Sequence, residues 1–283
     1  MLATTGERVL LAGCGDVGLR VARLLRAQGH TVFGLRRRPP ASADESGIHW
    51  LAGDLVDAAT LAGLPERITR VVYLPAPDLR DSAMYRAVFL DGLRGLLERL
   101  DCAALARVLF VSSSAVYGDH AGGWVDEDTP PDPPGFNGAV LLEAERWLAA
   151  QARPCTVLRL AGLYGPGRLQ LLDRLRTGGV AVPRDRVHWA NRIHVEDAAA
   201  AIAHLLFLPD ARPLYLGVDD TPLPLQVLYD HLASLAGVPP PPQGAPPTGV
   251  GSKRLRNARL RESGWVPQWS DARGGYASLL EGA

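Results

Sequence analysis

Residues 8–38 read RVLLAGCGDVGLRVARLLRAQGHTVFGLRRR, and this stretch decides the fold. Arg8 to Ala12 is a short apolar run, followed by Gly13-Cys14-Gly15-Asp16-Val17-Gly18, which matches G-x-G-x-x-G. Val17, Val21, Leu24 and Leu25 then recur at helical spacing, and Thr31 to Leu35 is a second apolar run. A glycine triplet alone is weak evidence. Between a strand and a helix, with another strand behind it, it predicts a dinucleotide loop. Gly13 permits the tight turn, Gly15 lets a pyrophosphate approach the backbone, and Gly18 lets helix and strand pack closely. The helix N-terminus offers free N–H groups and partial positive charge to the phosphates. The competing reading is a Gly-rich turn in an ordinary α/β protein.

The end of the second strand refines this. A fold that prefers NAD places Asp or Glu there, to hold the ribose 2′-hydroxyl. This chain has Arg36, Arg37 and Arg38, and no carboxylate before Asp44. Guanidinium groups suit a 2′-phosphate through forked, charge-assisted hydrogen bonds. The expected cofactor is therefore NADP, with NAD as the alternative. A solvated basic turn is the competing reading of the arginines.

At 283 residues the chain is long enough for one large domain or two. Thirty basic and thirty acidic residues give zero formal net charge, so nothing points to nucleic acid or an anionic membrane. No apolar stretch reaches the roughly 18 residues of a membrane span. The start MLATTGERVLL lacks the pattern of a signal peptide, and the expected location is cytoplasmic. The three cysteines, Cys14, Cys102 and Cys155, fit reduced core positions, and no Cys/His spacing suggests a metal. Lys253 is the sole lysine.

Along the chain, strands are predicted at 48–52, 70–74, 107–112, 155–160 and 214–218. Helices are predicted at 58–64, 82–100, 137–151, 169–177 and 223–236, and Asn191 to Asp197 leads into an Ala-rich helix ending at Leu208. Pro39 to Ser46 and Asp119 to Gly135 read as loops. Strands alternating with helices demand an α/β, Rossmann-like parallel sheet with helices on both faces, and the tail suggests a small C-terminal substrate lobe. The expected division is 1–162 plus 190–220 for the dinucleotide and 163–189 plus 221–283 for the lobe. Ligands then sit at the carboxyl ends of the strands. Asp54 and Leu55 stand there to meet an adenine, Pro75 and Ala76 let the chain pass close to the cofactor, and Ser112 ends the fifth strand.

The ordered motifs GCGDVG, GDL at 53–55, SSSAVYG at 112–118, LRLAGLYGPG, NRIHVEDAA and ESGWVP resemble those of the extended short-chain dehydrogenase/reductase family. That family includes NAD-dependent sugar epimerases and dehydratases. More narrowly, the chain is similar to its atypical NAD(P)-dependent epimerase/dehydratase, YeeZ-like branch. The resemblance implies an oxidoreductase or epimerase/dehydratase with a small polar or phosphorylated substrate, nucleotide sugars included, and a homodimer paired through the helices at 82–100 and 137–151. It implies that Ser113 binds the reacting oxygen.

The same resemblance exposes a departure. The family's Tyr-x-x-x-Lys should open the helix after the fifth strand, where this chain has Phe136-Asn137-Gly138-Ala139-Val140, with no Tyr or Lys nearby. A phenyl ring cannot relay a proton, a task worth about 10²–10⁴-fold. Tyr164 is the substitute to test for that role. Ser114, Tyr117, His188, Arg192 and Lys253 are expected around the substrate, the arginine as a clamp for charged groups. The alternative to an enzyme is a non-catalytic NADP-binding redox sensor or regulatory protein.

Overall fold

The computed structural model describes residues 6–40 and 47–281, so residues 41–46 of the expected loop lie outside the described residues. In chain order come β1 (Arg8–Ala12), α1 (Asp16–Ala27), β2 (Thr31–Arg36), β3 (His49–Ala52), β4 (Arg70–Tyr73), α2 (Ser82–Arg86), α3 (Gly92–Leu97), β5 (Arg107–Ser113), β6 (Trp124–Val125), α4 (Phe136–Ala149) and β7 (Cys155–Leu160). Then follow β8 (Gly162–Tyr164), α5 (Gln170–Arg176), β9 (Trp189–Ala190), β10 (Arg192–His194), α6 (Val195–Phe207), β11 (Leu214–Gly217), β12 (Leu223–Pro224), α7 (Leu225–Leu235), β13 (Arg254–Leu255), α8 (Ala258–Glu262) and α9 (Ala272–Glu281).

Seven strands form one sheet in the order β11-β7-β5-β4-β1-β2-β3. The pairs β1–β2, β1–β4, β2–β3 and β4–β5 are parallel. This is the Rossmann-like parallel sheet that the alternating pattern predicts, with its switch point between β1 and β4. Val9, Leu10, Leu11 and Ala12 are fully buried, which explains why β1 reads as a continuous apolar run rather than an alternating one.

Two expected helices differ in detail. The stretch 58–64 forms only a 3-10 turn, Ala58–Leu61, opened by the Asp57 carboxylate accepting from the Ala59 N–H. Gly63 and Pro65 end it. The long helix at 82–100 is interrupted: Ala87–Asp91 forms one wide π turn between α2 and α3. Its cause is local. The buried Tyr73 hydroxyl donates to the Val88 carbonyl at 2.5 Å. The Gly92 N–H, which an α-helix would send to Val88, goes back to Ala87 instead. A side chain inserted into the ladder is a known origin of such bulges.

The chain divides into two compact units. The first is Met1–Ser113, Phe136–Leu158 and Ala199–Leu214; the second is Ser114–Gly135, Arg159–Ala198 and Tyr215–Ala283. In the first, buried Arg107 donates to the carbonyls of Leu205, Leu208 and Pro209, and Arg70 donates to that of Leu206. The two guanidiniums thereby satisfy carbonyls left open at the end of α6. In the second, a core of Tyr164, Leu172, Leu175, Val182, Leu228, Leu232 and Tyr276 gathers α5, α7 and α9. Among the described residues no helix is long and apolar enough to cross a membrane.

Candidate functional site

In the first unit the loop between β1 and α1 is built as its glycines require. Gly13 has φ +88°, and a Cβ there would lie 2.5 Å from the Pro75 backbone. The Gly13 and Cys14 N–H groups both donate to the Leu35 carbonyl, at 3.0 and 2.9 Å. The loop is therefore tied to β2 on one side and pressed against the chain after β4 on the other. At Gly18 a Cβ would stand 3.3 Å from the Cys14 sulfur and 3.6 Å from Leu74, so the glycine allows α1 to approach the sheet. Gly15 is different. A Cβ there would meet nothing nearer than the Gly13 carbonyl at 3.9 Å, so its face is open. No side chain caps α1, whose first turn is Asp16, Val17 and Gly18, and the Asp16 carboxylate pairs with Arg20 at 3.0 Å. An open glycine at an uncapped helix N-terminus fits a pyrophosphate.

Beside the loop, the Arg36 guanidinium lies over the Trp50 ring at 5.9 Å. Arg37 pairs with Asp78, its Nη2 2.7 Å from Oδ1 and its Nη1 on Oδ2. The hydrogen bond from Arg37, aided by the charges of Arg37 and Arg38, holds the Asp78 carboxyl below its ordinary range. Asp54 accepts from the Val56 N–H at 3.1 Å, and its own N–H donates to the Thr60 hydroxyl at 2.8 Å. Leu55 is half-buried, while Ala76 is exposed.

At the end of β5 the two serines differ. Ser112 is buried and donates to Glu145 Oε1 at 2.5 Å, and Glu145 is itself buried on α4. Ser113 follows, half-buried. Alternation along a strand sends it to the opposite face from Ser112. Phe136, at the start of α4, packs edge-on against Tyr85, their ring centres 5.3 Å apart. Val140 is buried in the same helix. Glu143 forms a two-pronged pair with Arg86, both contacts 2.6 Å. Tyr85 is the hydroxyl-bearing ring that meets Phe136, and no spacing in the sequence singles it out.

The second unit holds the remaining expected residues, beginning with half-buried Ser114. Tyr117 is fully buried. Its hydroxyl donates to the Asp126 carbonyl at 2.9 Å and accepts from Arg159 at 2.7 Å. Buried Lys253 donates to the carbonyls of Tyr117, Gly118 and Gly251 at 3.1, 3.3 and 3.4 Å. Burial pushes its pKa down, against the opposing charge of Asp119. The polar groups of Tyr117 and Lys253, expected to face substrate, are thus committed to holding the chain itself. His188 is buried with Nε2 unpartnered; burial lowers its pKa, and the charge of Lys253 adds to that while Asp119 opposes it. The Arg192 Nε is likewise buried and unpartnered.

Tyr164, expected as a proton carrier, sits in the core of this unit. It stacks on Tyr276 at 4.4 Å and meets His194 edge-on at 5.1 Å. Its hydroxyl is buried without a partner, and burial drives its pKa far up. A ring so enclosed packs within the core of this unit.

The chain matches the model of the NAD dependent epimerase/dehydratase family over residues 9–214. It is 33% identical to Protein YeeZ of Escherichia coli (strain K12) over 243 residues, which cover 83% of this chain and 86% of that one. It is 41% identical to a solved protein of Methylobacillus flagellatus assigned to the NAD-dependent epimerases/dehydratases, with a TM-score of 0.82 and 98% of each chain covered. UDP-glucose 4-epimerase of Thermus thermophilus, solved in complex with NAD, has a TM-score of 0.80 at 23% identity, covering 97% of this chain and 98% of that one. That last likeness is one of fold. A family match spanning most of the chain, joined to the loop and sheet order described above, leads to one conclusion: the chain belongs to the NAD dependent epimerase/dehydratase family.

Proposed function

We propose that this protein is an NADP-dependent oxidoreductase or epimerase/dehydratase acting on a small polar or phosphorylated substrate, nucleotide sugars included. The observation that carries the reading is the open face of Gly15 at the uncapped start of α1, in the same unit as Ser113. Gly13, Cys14, Gly15, Asp16, Val17 and Gly18 cradle the pyrophosphate with backbone N–H groups. Arg36 and Arg37, with Arg38 behind them, face the 2′-phosphate, Asp54 and Leu55 the adenine, and Pro75, Ala76 and Ser112 line the path toward the nicotinamide. The bound nicotinamide supplies hydride transfer at its C4. Ser113 holds the reacting oxygen by a hydrogen bond. Ser114, His188 and Arg192 contact the substrate, and Tyr117 and Lys253 hold the loop that follows Ser114.

The division of labour proposed is 1–162 plus 190–220 for the cofactor and 163–189 plus 221–283 for the substrate. Two copies pair through the helices at 82–100 and 137–151, in the cytoplasm.

One observation favours a second reading, a non-catalytic NADP-binding sensor or regulator. Where the family resemblance calls for a proton carrier, α4 offers Phe136 against Tyr85 and buried Val140. The test is NADPH oxidation, together with chromatographic detection of epimerised or dehydrated product after loading with NADP or NADPH, on a panel of sugar nucleotides, aldehydes and ketones, beside NADPH binding. Turnover with any substrate establishes the enzyme. Tight binding without turnover on the whole panel establishes the sensor.

A further inference from the structure

Arg37 lies one residue past β2, and Asp78 lies on the segment that leaves β4. In the sheet β1 stands between those two strands. A pair joining Arg37 to Asp78 therefore spans the carboxyl end of β1, where the Gly13–Gly18 loop begins. The pair is two-pronged, and both side chains are exposed. Arg36 is turned onto Trp50. Of the three arginines, Arg37 is the one whose fork already holds a carboxylate among the described residues.

We propose that Asp78 sets the choice between NADP and NAD by occupying the guanidinium fork of Arg37 until a 2′-phosphate displaces it. This rests on the dinucleotide-binding reading above. A carboxylate and a phosphate engage the same two parallel N–H groups of an arginine, so they compete for one fork. A 2′-phosphate that reaches Arg37 must break the pair and settle beside a carboxylate of its own sign. A ribose 2′-hydroxyl meets no such competition; it can donate a hydrogen bond to Asp78 where the pair stands. The three arginines thus overstate the preference for NADP, because Asp78 has already neutralised one.

The test is titration of the full-length protein with NADPH and NADH, and with adenosine 2′,5′-bisphosphate and ADP as the half-molecules. Wild type, Asp78→Asn, Arg37→Ala and the double variant are compared at low salt. Exposed ion pairs contribute little to folding, so Asp78→Asn stays folded. It is expected to tighten NADPH and adenosine 2′,5′-bisphosphate about three- to tenfold, and to leave NADH and ADP within about twofold. With Arg37 already replaced by Ala, the gain from Asp78→Asn falls below about twofold. Unchanged NADPH binding in Asp78→Asn, an equal gain for NADH, or a full gain without Arg37 overturns the proposal while leaving dinucleotide binding intact. Failure of the wild type to bind either dinucleotide overturns the reading beneath it as well.

Discussion

Ser112, at the end of β5, donates a 2.5 Å hydrogen bond to Glu145 on α4, and both side chains are buried. The bond fixes the strand end against the helix that follows it, and Ser113 is the next residue. Replacing Glu145 by Ala leaves the Ser112 hydroxyl without this acceptor in a buried place and opens a void. We expect Glu145→Ala to cost about 2–4 kcal/mol in urea unfolding, and Glu145→Gln, which keeps an acceptor, less than half of that. Equal losses for the two variants would show that the bond is not what matters there.

Gly13 and Gly15 separate folding from binding. With φ +88° and the Pro75 backbone 2.5 Å from any Cβ, Gly13→Ala strains the loop itself. It should lower the unfolding free energy by about 1–3 kcal/mol or more. Gly15 has room for a side chain, so Gly15→Val should leave the melting temperature within a few degrees while weakening NADPH binding at least about thirtyfold. Calorimetry and equilibrium titration on the two variants read the difference directly.

Ser113→Ala removes a hydroxyl proposed to act on the substrate and not on the cofactor. Turnover should fall about 10²–10³-fold, the scale on which single hydrogen-bond donors at a reacting oxygen act. NADPH binding should stay within about twofold. A loss of cofactor affinity in step with turnover would move Ser113 out of the reaction.

Asp219 gives the second unit a pH signature. Burial, with the charges of Asp271 and Asp220, pushes its pKa up to about 8 from the usual 3.8. Its Oδ1 accepts from the Thr221 N–H at 3.2 Å, and Oδ2 has no partner. The folded-state value lies above the unfolded one. Its contribution to stability is therefore complete below about pH 4 and is lost as pH rises through about 8. Across that window the wild type should lose roughly 2–5 kcal/mol more than Asp219→Asn. Urea unfolding of both proteins at intervals of pH measures it, and parallel curves would remove Asp219 as the cause.

What the sequence makes legible follows from length and period. All seven strands of the main sheet can be read from it, because each is a mainly apolar segment of four or more residues bounded by a turn or a helix. β6, β8, β9, β10, β12 and β13 cannot, since two or three residues show no period. α9 is hidden by Gly274 and Gly275, which weaken any helical pattern. Gly275 is there because a Cβ would strike the Tyr164 ring, a contact between residues far apart in the chain. The cofactor loop is legible because its demands are local. Tyr164 reads as ligand-facing because a Gly/Pro loop looks open in one dimension; it lies buried under α9. The Arg37–Asp78 pair joins positions 41 residues apart, and nothing in local spacing connects them.

The reach of Arg107 has a consequence for synthesis. This side chain is buried on the fifth strand, yet its acceptor carbonyls lie 98 to 102 residues further along the chain. A nascent chain ending anywhere short of residue 209 carries a guanidinium whose resting place does not yet exist. The unit that carries the Gly13–Gly18 loop is first in sequence, yet its last segment, 199–214, comes late. It stays provisional on the ribosome until α6 emerges and closes it, so fragments cut before α6 should be recovered as protease-sensitive, aggregating material rather than as a free-standing Rossmann half.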